Sequence, residues 1–397
     1  MTIDLTSLFS VIILIPPFLL VIYLVQSLKS AKENYKGKLI LLYIFLKSFI
    51  VLILIYLVPI IFSRGYFLYV DLPAYTSCNP NSPNSFFSIY LCLIDIDNIV
   101  SFRAIGTAII INTFRDLLLI VIVVKNQILR KKSLLFFVVF LALHPYLAIY
   151  HAKLSTSIFG VLGVVIMYYA IISSRRQSAL IDLSLIVLAG MRNALAGIIV
   201  PYYIWEIVRQ LIGIVKGKEY FDYYFLKNII SLSAVISVVM LSGRYMFRFL
   251  RPTSEYYSLD AAFFAQYIDT PFILLDSFIA YVLVIFSHLF FLLGFREAAY
   301  TEFPHFFIPL DGLVIFHIFI GIILFIAHGT GFFYFLKSHI SKDRRYIIFI
   351  ITLVPALFSV AHLRYFMPFI PLSMLGLAML IDKKFLPISK ASINKSY

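Results

Sequence analysis

Three arginines, Arg244, Arg248 and Arg251, stand at i, i+4 and i+7 in Gly243-Arg-Tyr-Met-Phe-Arg-Phe-Leu-Arg251 and so share one face of a helix. A guanidinium is a planar fork of donors that meets phosphate or carboxylate through two parallel hydrogen bonds, so such a face can hold two adjacent phosphates. Arg192, in the turn Met191-Arg-Asn193, and Arg364, in His362-Leu-Arg364, offer the same chemistry, as does Arg64. Groups able to accept a proton beside a bound anion are Asp71, Glu255, Asp260, His151, His305, Asp311 and His362. For each histidine a hydrogen-bonded structural role competes with that of a base; for each arginine, helix capping or ion pairing competes with ligand binding. Asp95-Ile-Asp97 is an alternating acidic pair with no further clustered ligand, so neither a metal nor a cofactor is expected. Arg115-Asp116 differs, because it interrupts an apolar run, where ionisable residues are costly and face the protein interior. Adjacent residues diverge by about 100° on a helix, so each is expected to find its own partner, in a structural or a functional role. Cys78 and Cys92 share one loop and could pair in an oxidising compartment.

The elements that position these residues follow from composition. With 62% hydrophobic and 13% charged residues, the chain cannot be enclosed in a water-soluble core. A membrane-crossing helix needs roughly 20 apolar residues, and runs of about that length recur along the whole chain, which predicts an all-α, polytopic helical bundle in one integral membrane domain, 1–397. Aromatics make up 17%, with 27 Tyr against one Trp, so an interfacial belt would be built from Tyr and Phe. The formal charge of +14 sits in short loops between apolar runs, which argues for orientation in a membrane and against nucleic acid. The first run lacks the basic flank of a signal peptide and reads as a retained helix.

Positive charge gives the topology. Lysine clusters after the first run place the N-terminus outside, and Lys383 and Lys384 place the C-terminus in the cytoplasm. Apolar runs are expected at 8–26, 39–62, 104–124, 134–150, 155–173, 178–191, 194–214, 225–243, 271–294, 311–336, 346–361 and 367–382. They make 11 to 12 membrane segments, with outer loops at 63–103 and 244–310. Parity fails only at 271–294, which therefore reads as a re-entrant or surface segment. On this map lysine lies almost wholly inside, whereas Arg64, Arg103, Arg192, Arg244, Arg248, Arg251, Arg296 and Arg364 lie outside against the single Lys153. Lysine suffices for orientation; outward arginine suggests an anionic ligand.

Ser63-Arg-Gly-Tyr-Phe-Leu-Tyr-Val-Asp71-Leu-Pro-Ala-Tyr75 resembles the Arg and Asp-x-x-x-Tyr pattern that opens the first outer loop of bacterial exopolysaccharide and O-antigen polymerases. Arg192-Asn-Ala-Leu-Ala196 resembles their Arg-x-x-hydrophobic-Ala turn, although Asn193 stands where the exopolysaccharide polymerases more often have Gln. His362-Leu-Arg-Tyr-Phe-Met-Pro-Phe-Ile-Pro371 is similar to the Arg-Tyr-x-x-Pro signature of GT-C lipid-linked-sugar glycosyltransferases. GT-C enzymes usually carry a catalytic acid after their first helix, whereas Asp71 follows the second, which fits the polymerases better. The resemblance implies a polyprenyl-diphosphate-linked saccharide as donor and acceptor at the outer face of the bacterial inner membrane, beside a flippase and a chain-length regulator. It implies that Arg192, Arg244, Arg248, Arg251 and Arg364 bind the diphosphate, and that Asp71, Glu255 or His305 accepts the acceptor-hydroxyl proton. Arg64, Tyr75, Arg115, Asp116 and His362 are further candidates. A flippase or transporter would also want arginine in a cavity, a single-sugar GT-C transferase would use a polyprenyl-phosphate donor, and an acyltransferase would need a cytoplasmic His-centred site, which does not stand out.

The map makes one topological prediction. A membrane-impermeant label should reach Glu302 from outside and Lys342 only from within; both residues labelled from one side would sink it.

Overall fold

The computed structural model describes residues 34–52, 87, 90–92, 102–144, 147, 151, 154–173, 179–192, 195–217, 220–242, 276, 278–280, 282–283, 314–357 and 366–385. Among them every regular element is helical. In chain order α1 spans Asn34–Leu52, α2 Phe102–Lys125, α3 Lys131–Leu143, α4 Thr156–Ile172 and α5 Ala179–Met191. They are followed by α6 Ala196–Val215, α7 Tyr223–Ser242, α8 Val314–Ile340, α9 Ile347–Leu357 and α10 Ile370–Phe385. Single 3-10 turns at Arg344–Tyr346 and Met367–Phe369 lead into α9 and α10.

Among the described residues, three helices, over Ala104–Lys125, Ala196–Val215 and Tyr223–Leu241, are long and apolar enough to cross a membrane. On α6, Ile204, Val208 and Ile212 recur every fourth residue and are exposed, which presents an apolar stripe suited to lipid. The opposite face of α6 is buried through Ile199, Tyr203, Glu206 and Gln210. The expected run 134–150 ends early as a helix, at Leu143. His144 precedes Pro145, and the proline ring drives it out of the helical region to φ −59°, ψ 121°. The run 8–26 lies outside the described residues, as does most of 271–294, of which positions 276, 278–280 and 282–283 are helical.

The segment 63–103, read from the sequence as an exposed outer loop with room for one interfacial helix, has Phe87, Tyr90 and Leu91 helical and buried. Phe87 and Tyr90 each pack edge-on against Phe159 of α4, with ring centroids 5.8 Å apart. Turn-forming residues around these aromatics mask an anchor in the core. Cys92, beside them, is disulfide-bonded; Cys78, the expected partner, lies outside the described residues.

The hub is α4, with 14 of its 17 residues buried. α4 packs against α2, α5 and the 3-10 turn before α10, while α8 and α10 form the most extensive helix pair. Three polar clusters tie the helices to one another. Arg345 bridges Glu206 of α6 at 3.1 Å, the carbonyl of Ile171 at the end of α4 at 3.0 Å and Asp343 at 2.8 Å. Asp382 of α10 accepts from Ser133 of α3 at 2.7 Å and pairs with Arg130 at 3.6 Å. Lys227 of α7 meets Asp182 of α5 at 2.5 Å, and Tyr203 of α6 donates to the same carboxylate at 2.8 Å. Burial would raise the Asp343 carboxyl, but the hydrogen bonds and charge of Arg345 outweigh it and hold it below the usual carboxylate range. The stability it contributes is therefore present above that range and lost as pH falls through the depressed value.

The helices differ in length. At 1.5 Å per residue, the 13-residue α3 and α5 extend about 20 Å, short of the roughly 30 Å hydrocarbon layer. The chain therefore turns at His144 and Arg192 within the bundle, at the level of the middle of α2 and α8. Those turns bring polar backbone and ionisable side chains into the interior of the bundle, where each must find a protein partner.

The α8–α10 contact depends on absent side chains. A Cβ on Gly376 would run into the carbonyl oxygen of Gly331 and lie 2.7 Å from Phe335 Cβ, and one on Gly331 would run into the carbonyl of Ser373. Gly376→Ala is expected to destabilise by about 1–3 kcal/mol, the usual cost of overpacking, read as a lower melting temperature in detergent. Gly106→Ala in α2 is the control, because nothing lies within 4 Å of its would-be Cβ; equal behaviour of the two variants would refute the close-packing account.

Candidate functional site

The middle of α2 presents Asn112, Thr113, Arg115 and Asp116 to its neighbours, and α1 presents Tyr43 and Lys47, four residues apart and so on one face. The Tyr43 hydroxyl donates to Asp116 Oδ2 at 2.5 Å, and Lys47 Nζ lies 4.0 Å from the same oxygen. Arg115 Nε donates to Asp116 Oδ1 at 2.7 Å, and its Nη1 donates to Asn112 Oδ1. Arg115 and Asp116 are both 0% exposed and Lys47 is 2% exposed. The expectation that Arg115 and Asp116 each find a separate partner is thus half right. Each has its own, Asn112 and Tyr43 respectively, but the long arginine side chain also folds back across the helix to its neighbour. In an apolar interior that short path is the least costly way to pair both charges.

Lys47 also ties this pair to the end of α3. Its ammonium donates to the carbonyls of Leu141 and Ala142 at 3.3 and 3.4 Å, which are among the last-turn carbonyls a helix leaves without partners. Next in the chain, His144 stacks on His328 of α8 with Nε2 to Nε2 at 2.9 Å. The backbone N–H of Leu147 donates to His144 Nδ1 at 3.4 Å, so Nε2 of His144 carries the hydrogen and donates to His328. Ser373 of α10 in turn donates to the His328 carbonyl at 2.9 Å.

On the other side of α2, Asn112 Nδ2 donates to the backbone carbonyl of His151 at 3.1 Å, and His151 Nε2 lies 3.2 Å from Thr113 Oγ1. These bonds fix the approach to α4. At the start of α4, Arg192 Nη1 donates to Thr156 Oγ1 at 2.9 Å. A Cβ on Gly160, one turn further on, would lie 3.7 Å from Arg192 Cγ and 3.4 Å from Pro368 Cγ, so both side chains rest on that glycine.

Of the residues singled out from sequence, the structure places Arg192, Arg115 and Asp116. Asp71, Glu255, His305, Arg244, Arg248, Arg251, Arg364, Arg64, Tyr75 and His362 lie outside the described residues. Lys47, His144 and His328 are the ionisable residues that sequence reasoning passed over. The signal was present, for each interrupts an apolar run as Arg115-Asp116 does. Among the described residues, no three of His, Cys, Asp and Glu gather as a metal site would require. Compared with protein-family models, curated proteins and solved structures, the chain matches none.

Breaking a buried ion pair by removing one partner typically costs about 3–5 kcal/mol, because the remaining charge is uncompensated. Asp116→Asn leaves Lys47 and Arg115 facing each other and is expected to destabilise by that order. Adding Lys47→Met should restore much of the loss in thermal unfolding of the purified protein. An Asp116→Asn variant as stable as the parent would show that the cluster is not held by charge.

Proposed function

We propose that the chain is a bacterial inner-membrane glycosyltransferase that polymerises polyprenyl-diphosphate-linked oligosaccharide repeat units at the periplasmic face. On this reading 11 to 12 segments cross or enter the membrane, with the N-terminus periplasmic and the C-terminus cytoplasmic. The observation that carries the reading is the meeting of Arg192 and Pro368 on Gly160 of α4. Arg192 belongs to the arginine turn, and Pro368 to the His362–Pro371 segment, that resemble such enzymes. Their adjacency brings together two motifs that lie far apart in the chain.

In the reaction, a hydroxyl oxygen of the acceptor sugar attacks the anomeric carbon of the donor. The bond from that carbon to the phosphate oxygen breaks and the lipid diphosphate leaves with the electron pair. The hydroxyl proton passes to Asp71, Glu255 or His305. Negative charge on the leaving diphosphate grows in the transition state and is met by cations already in place, Arg192, Arg244, Arg248, Arg251 and Arg364.

A flippase for lipid-linked saccharide is favoured by one observation, the depth at which Lys47, Arg115, Asp116, His144 and His328 are buried, since such residues often mark a transport path. It predicts two matching halves, and no repeat is visible in the sequence. The two readings separate on a polymer ladder gel. Arg192→Lys keeps the charge and loses the planar fork. On the polymerase reading it should cut polymer formation by about 10²-fold, the scale of removing one stabilising donor, while membrane insertion is unchanged. An unaltered ladder from cells carrying only this variant would count decisively against glycosyl transfer at Arg192.

A further inference from the structure

Among the described residues, three of the buried polar atoms without a hydrogen-bond partner are Arg115 Nη2 on α2 and His151 Nδ1 and Ser155 Oγ just before α4, and Asn112 bonds both the Arg115 guanidinium and the His151 carbonyl. Their residues are 0%, 2% and 7% exposed. Two of the three belong to side chains that the network otherwise holds firmly, Arg115 through Asn112 and Asp116, and His151 through Thr113. In the tautomer whose Nε2 accepts the Thr113 hydroxyl, His151 Nδ1 carries the hydrogen. In that tautomer a charged guanidinium N–H, an imidazole N–H and a hydroxyl face the interior as donors.

Ser155 is the N-cap of α4, a position where serine ordinarily accepts from the first-turn N–H groups. Here its side chain makes no cap bond, and Ile158 N–H turns instead to the Ser155 carbonyl at 3.2 Å. The hydroxyl is left for something else. Behind it stands a 17-residue helix whose N-terminal end carries partial positive charge. Arg192 adds a second guanidinium to the same end through Thr156.

Charge points the same way. Lys47 and Arg115 are both buried, and Asp116 is the acid the described residues set against them. Among the described residues, this cluster holds one more cation than anion. A bound water can satisfy a donor but brings no charge, whereas an anion does both.

We propose that the N-terminal end of α4, together with Arg115 and His151, is a binding site for a phosphate-bearing anion inside the helical bundle. Ser155 and His151 donate to its oxygens, Arg115 compensates its charge, and the α4 end and Arg192 complete the positive surroundings. The ligand is a phosphate or diphosphate, carried by a lipid or free. The lipid-linked source rests on the glycosyltransferase reading; the anion site itself does not.

The test uses the purified full chain in nanodiscs, with inorganic diphosphate and a polyprenyl diphosphate as separate probes, read by melting temperature and by binding of the radiolabelled probe. Two variants accompany it. Ser155→Asp places a carboxylate where the anion would sit, and His151→Gln keeps an amide near the Nε2 position while removing the Nδ1 donor. At least one probe should raise the melting temperature of the parent, and both variants should weaken its binding roughly tenfold or more, the worth of a hydrogen bond to a charged group. Ser155→Asp without ligand should melt no lower than the parent, because it supplies the missing counter-charge and caps α4; that result also excludes misfolding as the cause of lost binding. A response to the lipid probe alone assigns the lipid-linked source, and a response to inorganic diphosphate alone assigns the free anion. Binding by neither probe, or equal binding by the parent and both variants, overturns the site. Diphosphate binding abolished by Ser155→Asp, in a protein whose deletion leaves the polymer ladder intact, would keep the site and remove the glycosyltransferase reading.

Discussion

The Arg115–Asp116 pair, 0% exposed in the middle of a helix apolar enough to cross a membrane, is the interaction that the neighbouring structure must accommodate. Ions removed from water cost several kcal/mol each unless every lone pair and proton is engaged. Tyr43 and Lys47 therefore come from α1, Asn112 from the preceding turn of α2, and the position of α1 against α2 follows. Lys47 then reaches the last carbonyls of α3, so the same charge that compensates Asp116 also holds the end of α3 against α1.

From that point the geometry propagates through short helices. Because α3 extends only about 20 Å, His144 and the connection to α4 lie at the depth of Asn112 and Thr113, and His328 of α8 meets His144 there. The glycines at 331 and 376 allow α10 close enough for Ser373 to reach the His328 carbonyl. A helix of standard length at α3 would have carried His144 past all of these partners. Depth, more than the identity of any one residue, is what gathers the polar groups into one belt.

Much of the helix layout could be read from the sequence. Apolar runs set α2 and α4 to α8 within a few residues, because in lipid an unpaired backbone must become helix. Where that reading went astray, a short-range effect overrode the run. Pro145 ended α3 early, and aromatic anchors at Phe87 and Tyr90 were hidden among turn formers. The site was harder to see. Arg115 and Asp116 stood out as ionisable residues in an apolar run, but Tyr43, which donates to Asp116, comes from α1, 73 residues away, and the neighbouring contacts Thr113 to His151 and His144 to His328 span 38 and 184 residues. Single-sequence periodicity carries no information about which helices touch. Lys47 was legible by the rule that picked out Arg115, since it too interrupts an apolar run.

The excess positive charge has a cost that a purely structural cluster would have no reason to carry. The three buried donors and the surplus of positive charge among the described residues could have been replaced by well-packed apolar side chains at equal or greater stability, as buried ion pairs in general can. Sites that stabilise a developing anion need the opposite economy: their dipoles and charges must already point inward before the ligand arrives, so that none of the reaction barrier goes into arranging them. Stability given up in the empty state is then regained when the anion is present. Under the proposed function the α4 end, with Arg192 already bonded to Thr156, is a preorganised receptor for the diphosphate, and its depth keeps the phosphates among low-dielectric surroundings where each donor counts for more than it would in water.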